Sequence, residues 1–319
     1  MWLLRSVDLP ELGRQLAATQ WRWVVPTVAI GPITLWARAL RWRYLFPPEL
    51  HPTGLVPANM IGYMANNILP LRAGELVRVY VAARHLRAAR AMSAGESLWL
   101  AGATVIVERI LDSLSLVLIM AVLVLVIPVP HALQYAAAVI LALDAVAAGV
   151  LLAFVLAPNS SRRVLMSLTR RWPRLGQRAE RGLDMVLLGL SGVRTRSHLL
   201  PLAAWTVFVW VLGALGAWSL LRAMHLDLTL TAGWTVMTFV GFGISIPSAP
   251  GYVGVWHAAA VLALAIFGVS QAVALGYAVL YHASQFVPIT LVGWLFLLRE
   301  QVSLGEATRG GDLAGADGR

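Results

Sequence analysis

Five groups able to hold a polar ligand, Asn66, Asn67, Arg72, Glu75 and Arg78, fall inside the otherwise apolar stretch Ile61 to Tyr80, beside Pro70 and Gly74. An ionised side chain at bilayer depth costs from about 2.5 to more than ~10 kcal/mol, so such groups line a wet cavity or pair with one another. Further on stand Glu108, Arg109 and Asp112. The spacing of four places the two acids on one helix face. Arginine suits an anionic headgroup, because its planar fork donates paired hydrogen bonds to phosphate and keeps its charge when partly buried. Each arginine can instead pair with Glu75, Glu108 or Asp112. The reading adopted gives Arg72 and Arg109 to ligand and Arg78 to structure. Burial and a neighbouring arginine act on a carboxyl in opposite directions, so proton coupling through these acids stays open. Ser248 and His282 complete the candidate substrate-binding set. For His257 and His282 a hydrogen-bonded helix histidine is the plainer reading and a pH sensor the sharper one. No zinc-protease, nucleophile-elbow or P-loop motif is present and cysteine is absent, so no metal or cofactor is expected and an ATP-driven pump is disfavoured.

These groups sit in a chain of 319 residues that is 59% hydrophobic and 13% charged, with a mean hydropathy of +0.74. Such a balance implies a multi-spanning membrane protein, and long apolar runs in place of alternating ten-residue strands exclude a β-barrel. The net charge of +10 suggests nucleic acid first, but in a membrane protein the positive-inside rule accounts for basic loops, and no nucleic-acid partner is expected.

Residues 1–20 read as an interfacial amphipathic segment without a signal-peptide core. A single transmembrane domain follows over 21–300, and a disordered tail over 300–319. A first span, 21–40, is interrupted by Pro26 and Pro32 and ends in Arg38, Arg41 and Arg43, which should face the cytosol. The run 54–69 is too short for the ~20 residues a spanning helix needs. With Pro70 and Gly74 as breaks it forms a hairpin that enters, stops and turns back through 75–90. A long helix, 93–127, starts at a capping box, Ser93 with Glu96. A span over 131–156 carries Asp144. The loop 158–198 holds nine arginines against two acids, Glu180 and Asp184, and is placed in the cytosol, as a lipid-bound amphipathic helix or a solvated linker. A span over 199–221 precedes a second interrupted unit. Its limbs, 231–246 and up to 267, flank Pro247, Pro250, Gly251 and Gly254. The last helix covers 269–298. Trp21, Trp23, Trp42 and Trp294 read as interface anchors.

The two interrupted units match in spacing. Pro70 precedes Gly74, and Pro247 precedes Gly251, by four; Ser93 and Ser270 each follow by 23. This implies a duplication, with repeat one over 21–127 and repeat two over 199–298. Counting spans from the basic loop puts the hairpins on opposite sides. The expected fold is therefore all-α, a polytopic membrane helical bundle with two inverted repeats, each containing a re-entrant helical hairpin.

The run Asn66-Asn67-Ile-Leu-Pro70-Leu-Arg72-Ala-Gly74-Glu75-Leu-Val-Arg78 resembles the flippase-like integral membrane family that contains the lysylphosphatidylglycerol synthase transmembrane region. Glu108-Arg109-x-x-Asp112 and the later Pro247-x-x-Pro250-Gly251-x-x-Gly254 share that likeness, and Arg38, Arg41, Trp42 and Leu45 match an upstream arginine-tryptophan pattern in part. The set covers roughly residues 5 to 300. The resemblance implies an inner-membrane protein that handles a membrane phospholipid or lipid-linked glycan. The chain looks like a stand-alone member without the aminoacyltransferase domain, so synthase activity is not carried over. Tyr281-His282 stands where the family pattern suggests an arginine.

The expected function is a secondary transporter moving an anionic polar lipid or lipid-linked glycan between leaflets, not an enzyme. The alternatives are a non-catalytic accessory of a lipid or glycan biosynthetic complex, and a membrane-embedded transferase. The expected location is the bacterial cytoplasmic membrane, multi-pass, with the C-terminus cytosolic, and a homo-oligomer is compatible with all of these.

Overall fold

The computed structural model describes residues 17–50, 52–90, 92–129, 173–245 and 249–305, with residue 13 and scattered helical residues between 131 and 167. Asp144, Pro247, Ser248, most of segment 1–16 and the tail 306–319 lie outside the described residues. What is described is all-α, with no strand among the described residues.

Helix α1, Trp21–Arg43, runs unbroken through Pro26 and Pro32, which corrects the expected interruption. A short limb α2, Leu55–Ile68, a 3-10 turn, Pro70–Arg72, and a second limb α3, Gly74–Arg90, form the first hairpin. Helix α4, Ala94–Val126, follows. Its start carries the expected capping box: the Glu96 N–H donates to Ser93 Oγ at 3.3 Å and the Ser93 N–H to Glu96 Oε2 at 3.0 Å. After the partly described stretch come α5, Pro173–Arg194, and α6, Arg196–Ala223. The second hairpin is α7, Leu230–Ser245, a 3-10 turn, Pro250–Tyr252, and α8, Val255–Ala265; α9, Gln271–Glu300, closes the order.

Among the described residues four helices, α1, α4, α6 and α9, are long and apolar enough to cross a membrane. At ~1.5 Å per residue, the hairpin limbs of 14 and 17 residues and of 16 and 11 residues reach roughly 16 to 26 Å, less than the ~30 Å hydrocarbon core. Aliphatic side chains stand outward along the long helices, as at Leu118, Leu125, Leu200 and Leu291. Lipid is as apolar as they are, so close packing and polar contacts must join the helices.

Those contacts set the directions. Helices α1 and α6 are antiparallel along their whole length: the Gln20 N–H reaches the Ala223 carbonyl at 2.8 Å, Thr27 Oγ1 the Gly216 carbonyl at 3.2 Å, Trp36 meets Trp205 edge to face, and His198 Nδ1 donates to the Tyr44 carbonyl at 3.0 Å. Within the first hairpin a Cβ on Gly74 would stand 2.0 Å from the Gly62 carbonyl oxygen, so only glycine lets the limbs close. The left-handed residue of that turn is Arg72, φ +58°, and not Gly74, whose role is close approach.

Equivalent contacts recur at a fixed offset along the chain. A Cβ on Gly293 of α9 would meet Met64 of α2 at 2.3 Å, and a Cβ on Gly241 of α7 would meet Leu116 of α4 at 2.7 Å. Residues 64 and 241, and 116 and 293, are both 177 apart, as are Pro70 and Pro247, and as are Ser93 and Ser270, the residues preceding α4 and α9. Helix α5 lays Gly182 and Gly189 on Trp99, Leu100 and Ala103 of α4, so this part of the basic loop is a helix packed on protein rather than a solvated linker.

Candidate functional site

The two hairpin turns meet. Arg72 Nη1 donates to the Ile244 carbonyl near the end of α7 at 3.4 Å, and a Cβ on Gly251 would lie 3.2 Å from the Asn67 carbonyl oxygen. Asn67 ties the first turn to α9, donating from Nδ2 to Thr290 Oγ1 at 2.8 Å. Beside the meeting point lies a cavity of about 640 Å³, within the usual range for small-ligand sites.

Its polar wall is an ionic layer built from three helices and a turn. The last turns of α1 bring in Arg38 and Arg41, the first hairpin brings Arg72, Glu75 and Arg78, and α4 brings Glu108, Arg109 and Asp112. At the sealed end Arg41, fully buried, donates to Glu108 Oε1 at 3.0 Å and lies 2.8 Å from Asp112 Oδ1. Arg78 pairs with the other Glu108 oxygen. Its guanidinium stands 3.9 Å from the centre of the Trp42 ring, whose Nε1 donates to Thr104 at 3.0 Å.

At the open end Arg38, Arg72, Glu75, Arg109 and Asp112 line the cavity with Tyr63 and Asn67. Arg38 reaches Asp112 Oδ2 at 2.6 Å. Arg109 lies 3.6 Å from Glu75 and 3.5 Å from Asp112, and its Nη2 donates to Tyr63 Oη at 3.3 Å. Arg72 lies 3.6 Å from Glu75. Five guanidiniums thus face three carboxylates, a formal excess of two positive charges. Attraction for an anion is far stronger in a shielded site than at a wet surface.

The rest of the wall is apolar or aromatic. Ile30, Val209, Met237 and Val240 supply aliphatic surface, and Tyr252, Trp256, Tyr281, His282 and Phe286 an aromatic face. His282 stacks on Trp256 at 5.2 Å between ring centres. His257 caps α8, its Nδ1 accepting the Gly254 N–H at 3.4 Å.

Of the residues expected at a binding site, Asn67, Arg72, Glu75, Arg109, Asp112 and His282 line the cavity; Asn66, Arg78 and Glu108 are buried behind it. Ser248, with Pro247, lies outside the described residues. Pro70 begins the first turn and Pro250 the second, where Gly251 and Gly254 take φ of +65° and +91°. Two expectations are corrected. The basic end of the first span points Arg38 and Arg41 to cytosolic water, but the acids of α4, one turn apart, draw both inside. Trp42, expected as an interface anchor, is completely buried under Arg78. The partial arginine-tryptophan pattern was the signal that could have found both, together with the unbalanced acids on α4. Trp210 and Trp256 carried no signal, since nothing in a sequence distinguishes a cavity tryptophan from a packed one.

Fold and site together define a multi-pass α-helical membrane protein with a charged cavity enclosed between two helical hairpins. Residues 1–293 match the family described as the lysylphosphatidylglycerol synthase TM region, and the chain belongs to that family, a membrane domain associated with lipid handling. Comparison with curated proteins and with solved structures returns no match.

Proposed function

We propose that the protein is a secondary translocase that carries an anionic polar lipid, or a lipid-linked glycan, between the leaflets through this cavity. The observation that carries the reading is the joining of two short hairpins at a cavity whose ionic wall has two more arginines than it has carboxylates to pair with. Headgroup phosphate sits against Arg72, Arg109 and Arg38, and the aliphatic wall accommodates the beginning of the acyl chains.

The hairpins are re-entrant and the halves inverted. The limbs are too short to cross. Helix α1 and its counterpart α6 run antiparallel while the contacts of one half recur in the other 177 residues later. Related halves of opposite direction give alternating access by rocking about a fixed central site. The arginine-rich region 158–198 supports a cytosolic side for that loop in a bacterial inner membrane, and Glu75, in the cavity and facing three arginines, is the candidate for coupling to protons.

Purified protein in liposomes carrying a fluorescent anionic phospholipid in the inner leaflet should expose that lipid to an external quencher faster than protein-free liposomes do. Equal rates in the two preparations, with the protein co-purifying with a transferase, would instead make it an accessory subunit.

A further inference from the structure

The arginine wall accounts for a phosphate and leaves the aromatic face of the same cavity without a task. We infer that this face is a subsite for a cyclic polyol, a sugar or cyclitol ring, so that the preferred ligand is a lipid phosphate bearing such a ring; the inference rests on the anionic-lipid reading above.

The aromatic face is neutral and rich in donors. Tyr252, Trp256, Tyr281 and Phe286 line it, with His282 stacked on Trp256. A six-membered polyol ring offers an apolar C–H face that packs on an aromatic ring, and a rim of hydroxyls that accept from indole N–H groups. Such donors are present: Trp256 Nε1 on the aromatic face, and next to the arginine wall Trp210 Nε1, whose ring centre lies 5.5 Å from the Arg38 guanidinium, and Thr34 Oγ1, one turn from Arg38, are buried with no hydrogen-bond partner. Buried polar atoms are nearly always partnered in a working protein; these three neutral donors, together with the Glu75 oxygens, Asp112 Oδ1 and Arg109 Nε of the ionic wall, which also lack a hydrogen bond, mark the cavity as built for a polar occupant.

An aromatic face can also serve a quaternary ammonium, but the ions here argue against one. Asp112 lies within 3.5 Å of Arg38, Arg41 and Arg109, and Glu75 within 3.7 Å of Arg72, Arg78 and Arg109. A ligand cation would have to compete with three arginines for either carboxylate, and the surrounding positive excess repels it.

Binding of four dioctanoyl lipids to the detergent-purified full chain separates these cases. Phosphatidylinositol carries phosphate and a cyclic polyol, phosphatidylglycerol phosphate and an open-chain one, phosphatidic acid phosphate alone, and phosphatidylcholine a quaternary ammonium. Phosphatidylinositol should bind about 10-fold or more tighter than phosphatidic acid, a difference of ~1.4 kcal/mol, with phosphatidylglycerol nearer the latter. Trp256→Leu should bring phosphatidylinositol down to the phosphatidic acid level and leave phosphatidic acid unchanged. Trp256→Phe, which keeps a ring but loses the N–H, should retain part of the advantage and covers the case in which the leucine variant does not fold. Arg72→Gln should weaken all three anionic lipids alike. Equal affinity for phosphatidic acid, phosphatidylglycerol and phosphatidylinositol, an advantage that survives Trp256→Leu, or tightest binding of phosphatidylcholine would overturn the subsite. Absence of binding by phosphatidic acid itself would overturn the anionic-lipid reading beneath it, so the two failures are told apart.

Discussion

At the residue scale the ionic layer divides by burial, and the division assigns roles. Glu108 has no exposure and holds Arg41 and Arg78 at once. Removing one partner of a buried pair strands the other and costs about 3–5 kcal/mol. Glu108→Gln should therefore lower the thermal unfolding midpoint markedly, whereas Glu75→Gln, at a carboxylate held only by ion pairs of 3.6–3.7 Å, should cost less stability and abolish transport. An equal loss of stability in the two variants would contradict the division. Arg72 sharpens the point, since it holds a left-handed backbone at φ +58° that costs a non-glycine residue about 1–2 kcal/mol. Strain of this kind persists at sites where the side chain is needed. Glycine at this position relieves it, so Arg72→Gly should fold with a stability within about 1 kcal/mol of wild type, as read by denaturation in detergent.

At the element scale the hairpins and their partners depend on glycines that the repeat uses unequally. In α9, Gly293 opposes backbone and Cβ atoms of α2, and an added methyl there would stand 2.5 Å from the Met60 carbonyl oxygen, while Gly241 of α7 opposes only the side-chain end of Leu116. Backbone cannot yield as a leucine rotamer can. Gly293→Ala should therefore destabilise the protein by more than Gly241→Ala, by about 1–3 kcal/mol for overpacking at the former, and Gly102→Ala, with open space around it, should be silent in the same melting assay. Much of this scale was legible in advance. The short run before Pro70, the serine starts of the two long helices and the two proline turns marked the element order, because breaks and caps are local chemistry. The prolines of α1 misled, since a helix whose carbonyls are held by neighbours tolerates them. Arg41 and Trp42 misled for a different reason: their environment is set by α4, more than sixty residues away in the chain, and no local pattern reports that.

At the scale of the whole molecule, transport requires two halves of opposite direction enclosing one charged cavity. The absence of cysteine makes the direction measurable by single introduced thiols. Thr53→Cys, just before the first hairpin, and Gly95→Cys, in the first turn of α4 after it, should react with an impermeant maleimide from one face of the membrane, and Thr229→Cys and Ser270→Cys from the other. Reaction of all four from one face would contradict the inversion. Charge is also unequally shared along the chain: the ionic groups Arg72, Glu75, Glu108, Arg109 and Asp112 stand 177 residues before Ala249, Tyr252, Gln285, Phe286 and Ile289. One half thus supplies the anion site and the other its neutral wall, a specialisation that the sequence displayed only once the offset was known.

The most direct measurement of the central claim is the rate at which a labelled anionic phospholipid crosses liposome membranes containing either the wild-type protein or Arg72→Gly, each first shown to unfold at the same temperature. A translocating cavity predicts rapid crossing with wild type and a rate at the protein-free level with the variant. Equal rates for the two proteins would contradict it.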